Sequence, residues 1–444
     1  MRPSPLLALC LALGVASPLG AAPAFPLRFD FGAAVSAPDS SLVAPDTLYT
    51  ARRGYGLVSS EGLSVRSGAG EGFAADSLVG TRPFSFVVDL PEGNYDVTVH
   101  LGAPDLASEN TIKSETRRLM LERVSVPAGS TATRTFTVNL HTPAIAEGGR
   151  VKLKERERDY FHWDDKLILE FNGDHPAVAG LEIRPAADST LTIYLAGDST
   201  VTDQPGEPWA AWGQMLPRFF PAGVAVSNHA ESGLSLASFR GSNRLEKILS
   251  TLRPGDYVFI QFGHNDQKEK GEGVGAFTTY AQSLRDYVAA IRAKGGEPVL
   301  VTSMYRRRFN EQNELYDTLG DFPAAVRQVA QETGAPLIDL HASSARVFSA
   351  LGKDKSKLAF VHFPAGAYGS EKAVSDDTHF SPYGAYELAR CVVQGIRQNI
   401  PTLAARLAPD VGDYDPGHPA SPETFALPPS LPRDAVRIPD GDGR

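Results

Sequence analysis

Cysteine is nearly absent: 444 residues contain only Cys10 and Cys391. Cys10 falls in an N-terminal segment that reads as removable, so a mature chain would keep Cys391 alone and could form no internal disulfide. Leu9 is bulkier than the small residue that precedes a lipid-anchor cysteine, which argues against lipidation. Cys391 sits in the apolar pattern of a predicted helix and reads as a buried core thiol. Cationic excess is missing too. Lys and Arg number 43 against 52 Asp and Glu, a formal net charge of −9, which argues against nucleic acid or an anionic membrane surface as partner. Beyond the leader, no segment reaches the ~20 apolar residues of a membrane span. None of the usual metal-ligand spacings occurs, so neither a metal nor another cofactor is expected. There is no internal repeat.

What is present begins with a leader. Arg2, the apolar stretch Leu6 to Ala16 and the small-residue pattern Ala22-Pro23-Ala24 read as a signal peptide over residues 1–24. The expectation is a secreted protein, periplasmic or extracellular, with no membrane contact after cleavage. The remaining length exceeds one ordinary core of ~100–200 residues, so two domains are expected.

The hydrophobic period changes once along the chain. From residue 25 to 187, strand-like runs follow one another. In Phe84 to Leu90, Phe84, Phe86, Val88 and Leu90 share a face; Pro91-Glu92-Gly93-Asn94 supplies turn chemistry; Val97, Val99 and Leu101 resume the period of two. Serial hairpins without long helices imply an antiparallel β-sandwich. From 190 to 404, apolar strands at Thr192–Ala196, Val224–Ser227, Tyr257–Phe262, Pro298–Thr302 and Leu337–Leu340 alternate with helical stretches. One continuous helix is expected over Leu236 to Ser250. This is the pattern of an α/β, doubly wound parallel sheet. Residues 405–444 are rich in Pro, Asp and Gly and read as a tail that wraps the surface or stays disordered.

In such a sheet, reactive groups belong just past the carboxyl ends of the strands. Gly197-Asp198-Ser199 follows the first strand, Asn228 to Gly233 the second, and Gly263-His264-Asn265-Asp266 the third. Asp376-Asp377-Thr378-His379 precedes the last helix, its Asp376 and His379 three residues apart, close enough for one turn to present a carboxylate to an imidazole. Each block alone reads equally as a turn, a cap or a loop glycine. Together and in this order they point to catalysis.

The four blocks, over about residues 190–400, resemble those of the SGNH (GDSL-type) hydrolases. Tyr194 to Thr200 and Gly263 to Asp266 look most like the rhamnogalacturonan acetylesterases of carbohydrate esterase family 12. The resemblance implies a flavodoxin-like fold. It places Ser199 as nucleophile, His379 as base, Asp376 as its acid partner, and Ser199, Gly233 and Asn265 at the oxyanion hole. It implies a serine esterase whose partner is an acetylated polysaccharide or oligosaccharide. The absence of any Gly-x-Ser-x-Gly elbow counts against the α/β-hydrolase alternative.

One departure bears on substrate. In the pectin-acting enzymes Arg-Ser follows the second-block glycine, whereas Leu234-Ser235 follows Gly233 here. Arg240, Arg244 and the run Arg306 to Arg308 are candidates to replace that cation, although a solvated charge run explains the last equally. Trp212 is a candidate on the substrate side, with helix packing as its other reading. The front domain resembles galactose-binding-like and malectin-like modules at Tyr49 to Gly56, and its Tyr55, Tyr160, Phe161 and Trp163 read as sugar-stacking or as packing residues. Acetylxylan esterase, lipase or thioesterase, and a glycan-binding protein with an inactive hydrolase domain are the competing functions.

Overall fold

The computed structural model describes residues 24–35, 37–146 and 148–432. Residues 1–23 of the expected leader, Cys10 included, and residues 433–444 of the expected tail lie outside them. Among the described residues, the front half forms two facing sheets. One orders its strands Ala132–Leu140, Gly93–Leu101, Ala177–Pro185, Leu27–Phe31 and Ser41–Val43, with the hairpin of Leu63–Ser67 and Asp76–Gly80 joined to Ala177–Pro185. The other runs Tyr55–Leu57, Phe84–Asp89, Lys166–Asn172, Ser108–Ser114 and Arg118–Val126.

The period of two dictates which face each residue takes. Phe84, Phe86 and Val88 join Val97, Val99 and Leu101 in one core, while Val87, one residue out of phase, packs with Tyr49 and Ile168 outside it. Burial of each such side chain contributes roughly 1.5–3 kcal/mol against exposure. One expectation needs correction: the sandwich is not wholly antiparallel, because Leu27–Phe31 pairs in parallel with Ser41–Val43.

The second half holds a parallel sheet in the spatial order Val224–Asn228, Leu191–Gly197, Tyr257–Gln261, Glu297–Val301, Leu337–Ile338. Numbered along the chain this is 2-1-3-4-5, an order of doubly wound sheets. Both faces are covered. Ile193, Leu195, Phe259, Val299 and Val301 share a core with the helices Leu340–Lys355 and Pro382–Asn399. Tyr194, Ala196, Val258, Ile260 and Leu300 share another with Leu236–Gly241, Arg244–Thr251, Ala281–Ala293 and Phe322–Thr333. The single helix expected over Leu236 to Ser250 is two, broken where Asn243 takes a left-handed φ of 63°. Cys391 is buried, its thiol pushed up to about 12 by that burial, as an inert core group would be.

Charged side chains of the front domain run into the second. Arg118 Nε donates to Asp203 Oδ2 at 2.6 Å with both side chains 1% exposed. Arg244 Nη2 reaches both Glu157 oxygens at 2.5 and 2.7 Å, and Lys247 Nζ reaches Glu92 at 2.6 Å. The described part of the tail ties in as well: Ala408 N donates to Phe219 O, and Tyr383 Oη donates to Ala420 O. Lys113 Nζ donates to Pro428 O at 2.8 Å and Ser430 Oγ at 2.7 Å. No helix among the described residues is long and apolar enough to cross a membrane.

The same seam buries His141, His162 and His229 around Trp163, with His141 stacked on His229 at 4.5 Å. Burial holds all three imidazoles well below their ordinary range. The unfolded chain takes up protons near pH ~6.5 that the folded chain refuses, so unfolding free energy rises with pH through that region. The stability present above pH ~6.5 should therefore be lost progressively as the pH falls below it. Calorimetric Tm values compared at about pH 7.5 and about pH 5.5 should show a lower value in acid; a flat profile would mean that the seam accepts the protons.

Candidate active site

The first parallel strand ends at Gly197 because nothing larger fits: a Cβ there would lie 2.5 Å from Val201 Cγ2. The chain then turns on Asp198, whose Oδ1 accepts from Thr200 N at 2.9 Å and Thr200 Oγ1 at 2.7 Å, while its carbonyl accepts from the N–H groups of Val201 and Thr202. Burial would raise the Asp198 carboxyl, but the facing His264 ring and the Thr200 bonds outweigh it and hold the group below the usual carboxylate range. Gln204 Nε2 pins Ser199 O at 2.7 Å. Ser199 Oγ is thereby fixed at the strand's carboxyl edge.

Asp376 and His379 arrive on the strand Val374–Phe380, which pairs antiparallel with Phe360–Phe363. This hairpin is absent from the sequence reading, which put both residues in a turn. Asp376 Oδ1 accepts from the N–H groups of Thr378 at 2.8 Å and His379 at 3.0 Å, leaving Oδ2 to face His379 Nδ1 at 2.7 Å. A carboxylate only accepts, so Nδ1 carries a proton; Nε2, the lone-pair nitrogen of the neutral ring, faces Ser199 Oγ at 2.9 Å. Burial raises the Asp376 carboxyl, and the His379 ring with the two backbone donors more than compensates, keeping it ionised well into acid. Next door, Asp377 accepts from Arg307 Nη1, Arg308 Nη1 and His362 Nε2 at 3.0, 3.0 and 2.9 Å. This clamp fixes the hairpin.

The second and third loops are laced to the first. Glu231 N donates to Gly197 O, Asn265 Nδ2 donates to Leu234 O at 3.0 Å, and Leu236 N donates to Asp266 Oδ1 at 2.9 Å. Gly233 sits at a φ of +82°, a conformation that suits glycine. Among the described residues, neither Ser199 N–H nor Gly233 N–H donates to any protein group, and Asn265 Nδ2 spends only one of its two protons. Three donors on these bonded loops are thus left unspent.

The candidates for the substrate side fare differently. Trp212 is fully buried and its Nε1 donates to Gln261 Oε1 at 2.9 Å, so it is a core residue and cannot meet a substrate. Arg244 is buried on Glu157 and His229 O, which removes it also. Arg240 is exposed on the outer side of its helix, 3.8 Å from Glu246 and 4.0 Å from Asp286. Arg306 is half-buried behind the third block, donating to Thr318 Oγ1 and His264 O. The run beyond it is mixed: Arg308 is exposed, whereas Arg307 is buried on Asp377, Ser356 and Lys353 O. Trp163 belongs to the interdomain seam, and Tyr55 packs on Phe29.

Sequence reasoning missed the front domain's share. Arg117 holds Gln204 O and Trp209 O, Lys154 Nζ donates to Ser232 O, and Arg156 pairs with buried Glu231. The available signal was the sign-alternating run Lys152 to Asp159, which has the pattern of an ordinary exposed face. No group of three or more His, Cys, Asp or Glu side chains among the described residues is placed to hold a metal ion.

A hydroxyl whose proton faces a bare imidazole nitrogen, with unpaired N–H donors beside it, is equipped to attack a carbonyl carbon and hold the resulting oxyanion. The class so defined is the serine hydrolases. Residues 195–385 match the GDSL-like Lipase/Acylhydrolase family, and residues 27–141 match the Beta-agarase/YXIM esterase-like, galactose-binding domain-like family. The rhamnogalacturonan acetylesterase RhgT of Bacillus subtilis is 42% identical over 211 residues, covering 47% of this chain and 90% of that protein. The uncharacterized esterase YxiM of the same organism is 28% identical over 385 residues, covering 84% of this chain and 90% of that one. The crystal structure of YxiM aligns at 25% identity with a TM-score of 0.43, covering 84% of this chain and 98% of that one. The chain belongs to the GDSL-like lipase/acylhydrolase family, with a galactose-binding-like domain in front, and is a carboxylic ester hydrolase.

Trp212→Phe separates the core role from a substrate role. Losing the buried bond to Gln261 should cost about 1–2 kcal/mol of stability in denaturant titration, with KM unchanged for any ester tried.

Proposed function

We propose that this protein is a secreted acetylesterase that removes O-acetyl groups from plant cell-wall polysaccharide, with rhamnogalacturonan as the principal substrate. The observation that carries the reading is the continuous relay from Asp376 Oδ2 through His379 to Ser199 Oγ, at 2.7 and 2.9 Å. The identity to a rhamnogalacturonan acetylesterase over the same half of the chain supports the choice of substrate.

In this reading Ser199 Oγ attacks the acetyl carbonyl carbon while His379 Nε2 takes its proton. Asp376 keeps the imidazole in the Nδ1–H tautomer and balances its transient charge. The Ser199 and Gly233 N–H groups and Asn265 Nδ2 stabilise the oxyanion, each contributing about 3 kcal/mol to lowering the barrier. Collapse breaks the bond to the sugar oxygen, which leaves with the proton from His379. Water, deprotonated by the same imidazole, then opens the acetyl-enzyme to acetate and restores Ser199.

Aromatic groups beside the relay favour a sugar as the leaving group. Ala210 N pairs with Phe380 O, next to His379, and brings half-buried Trp209 to Phe363, which in turn meets Tyr368, 59% exposed. Sugar rings stack on such apolar faces. Secretion rests on the leader pattern of residues 1–24.

Acetate release from acetylated rhamnogalacturonan and acetylated xylan, measured side by side, tests the substrate. Release from the pectic polymer that disappears in Ser199→Ala is expected; release from xylan alone would keep the esterase and change the polymer. Edman sequencing of the exported protein should begin just past Ala24, and a start at Met1 would refute the leader.

A further inference from the structure

The peptide between Ser232 and Gly233 is bonded on one side only. Its carbonyl accepts from Lys154 Nζ and, at 2.8 Å, from Arg156 Nη2. Its N–H, carried by Gly233, has no acceptor among the described residues. The Lys154 ammonium lies 3.5 Å from the point where a Gly233 Cβ would sit. Both cations belong to the front domain, on the short 3-10 turn Glu155–Asp159 and the residue that opens it.

That segment is nailed in place. Glu157 Oε2 accepts from Lys154 N at 2.8 Å, the Glu157 carboxylate is held by buried Arg244, Asn243 Nδ2 donates to Arg150 O, and Lys152 N donates to Ser242 O. Charge balance separates the two cations. Arg156 pairs with Glu231, the buried carboxylate of the loop, whereas Lys154 has no carboxylate within salt-bridge distance among the described residues. Glu231, Glu157, Arg156 and Arg244 are the charged groups that surround it.

A peptide is a conjugated amide, so a cationic donor on its oxygen draws electron density from the nitrogen and makes the N–H a stronger donor. Fixed before the reaction begins, such polarisation stabilises an oxyanion without reorganisation. We propose that Lys154 and Arg156 are positioning residues for catalysis: the front domain polarises the Ser232–Gly233 peptide and so completes the oxyanion hole of the hydrolase domain. This rests on the reading of Gly233 N–H as an oxyanion donor. It gives the galactose-binding-like domain a part in the chemical step that does not depend on its binding any glycan.

The test uses the full chain with 4-nitrophenyl acetate and compares Lys154→Met, Lys154→Arg, Lys154→Gln and Asn265→Ala with the parent. Lys154→Met keeps the apolar stem and leaves Arg156 on Glu231. Its kcat should fall about tenfold, with KM little changed and Tm preserved. Lys154→Arg, which returns a charged donor to the Ser232 carbonyl, should recover most of the loss. If the Met variant does not fold, Lys154→Gln decides, since it keeps a neutral donor; an intermediate kcat supports the proposal and a parental one overturns it.

Asn265→Ala separates two kinds of failure. A loss of roughly 10²-fold there with parental kcat in Lys154→Met would overturn the polarising role and leave the oxyanion hole standing. Parental kcat in both Asn265→Ala and Lys154→Met would overturn the oxyanion reading and this inference with it. A Lys154→Met defect that Arg does not restore, or that follows a fall in Tm, would reduce Lys154 to packing.

Discussion

Arg118 and Asp203 meet where three parts of the molecule converge, and both side chains are almost wholly cut off from water. Arg118 opens the edge strand Arg118–Val126 of the front domain and also donates to Asn139 O. Asp203 lies four residues past Ser199, and its other oxygen accepts from Asn228 Nδ2 at the end of the neighbouring parallel strand. A buried charge stripped of its partner costs about 3–5 kcal/mol. The front sheet, the Ser199 loop and the end of the strand Val224–Asn228 are therefore held in one relative position or the pair is broken. Arg117 extends the hold to Gln204 and Trp209, and through Gln204 to the Ser199 carbonyl.

From that constraint the site's division of labour follows. The parallel sheet supplies strand ends and glycine turns, whose loops carry Ser199, Gly233 and Asn265 and are bonded to one another through Glu231 N–Gly197 O and Asn265 Nδ2–Leu234 O. The hairpin Phe360–Phe363 and Val374–Phe380 supplies Asp376 and His379, anchored through Asp377 to Arg307 and Arg308. Since Arg307 is buried, the run that looks like a basic patch in sequence is a brace for the neighbouring carboxylate.

What could be read from sequence was whatever had a local signal. Alternation at Phe84 to Val88 and Val97 to Leu101 gave the sandwich, and short apolar strands followed by Gly197, Gly233 and Gly263 gave the parallel sheet and its loops. Strands with polar faces were illegible. Ser108–Ser114 reads Ser-Glu-Asn-Thr-Ile-Lys-Ser, yet it is almost wholly buried, because side chains and the distant tail satisfy most of its polar groups. Nor does any periodicity announce that Lys154 touches Ser232 or that Arg118 touches Asp203, contacts between residues 78 and 85 positions apart. For a related reason sequence alone leaves both readings of Trp212 open. An aromatic near a reactive loop has the same spacing whether it faces substrate or, as here, a buried glutamine.

The tail closes the molecule back on its first domain. Lys113, almost wholly buried in the front domain, bonds to Pro428 and Ser430, the latter 317 positions later in the chain. Asn172 closes on Pro429 in the same way. Whatever the sandwich buries by itself, the Lys113 ammonium gains these two acceptors only when residues 428–430 are in place. Residues 428–430 therefore act as a clasp on the first domain: cut before them, the chain would keep its relay but leave the Lys113 ammonium with Glu170, 3.6 Å away, as its remaining ionic partner among the described residues.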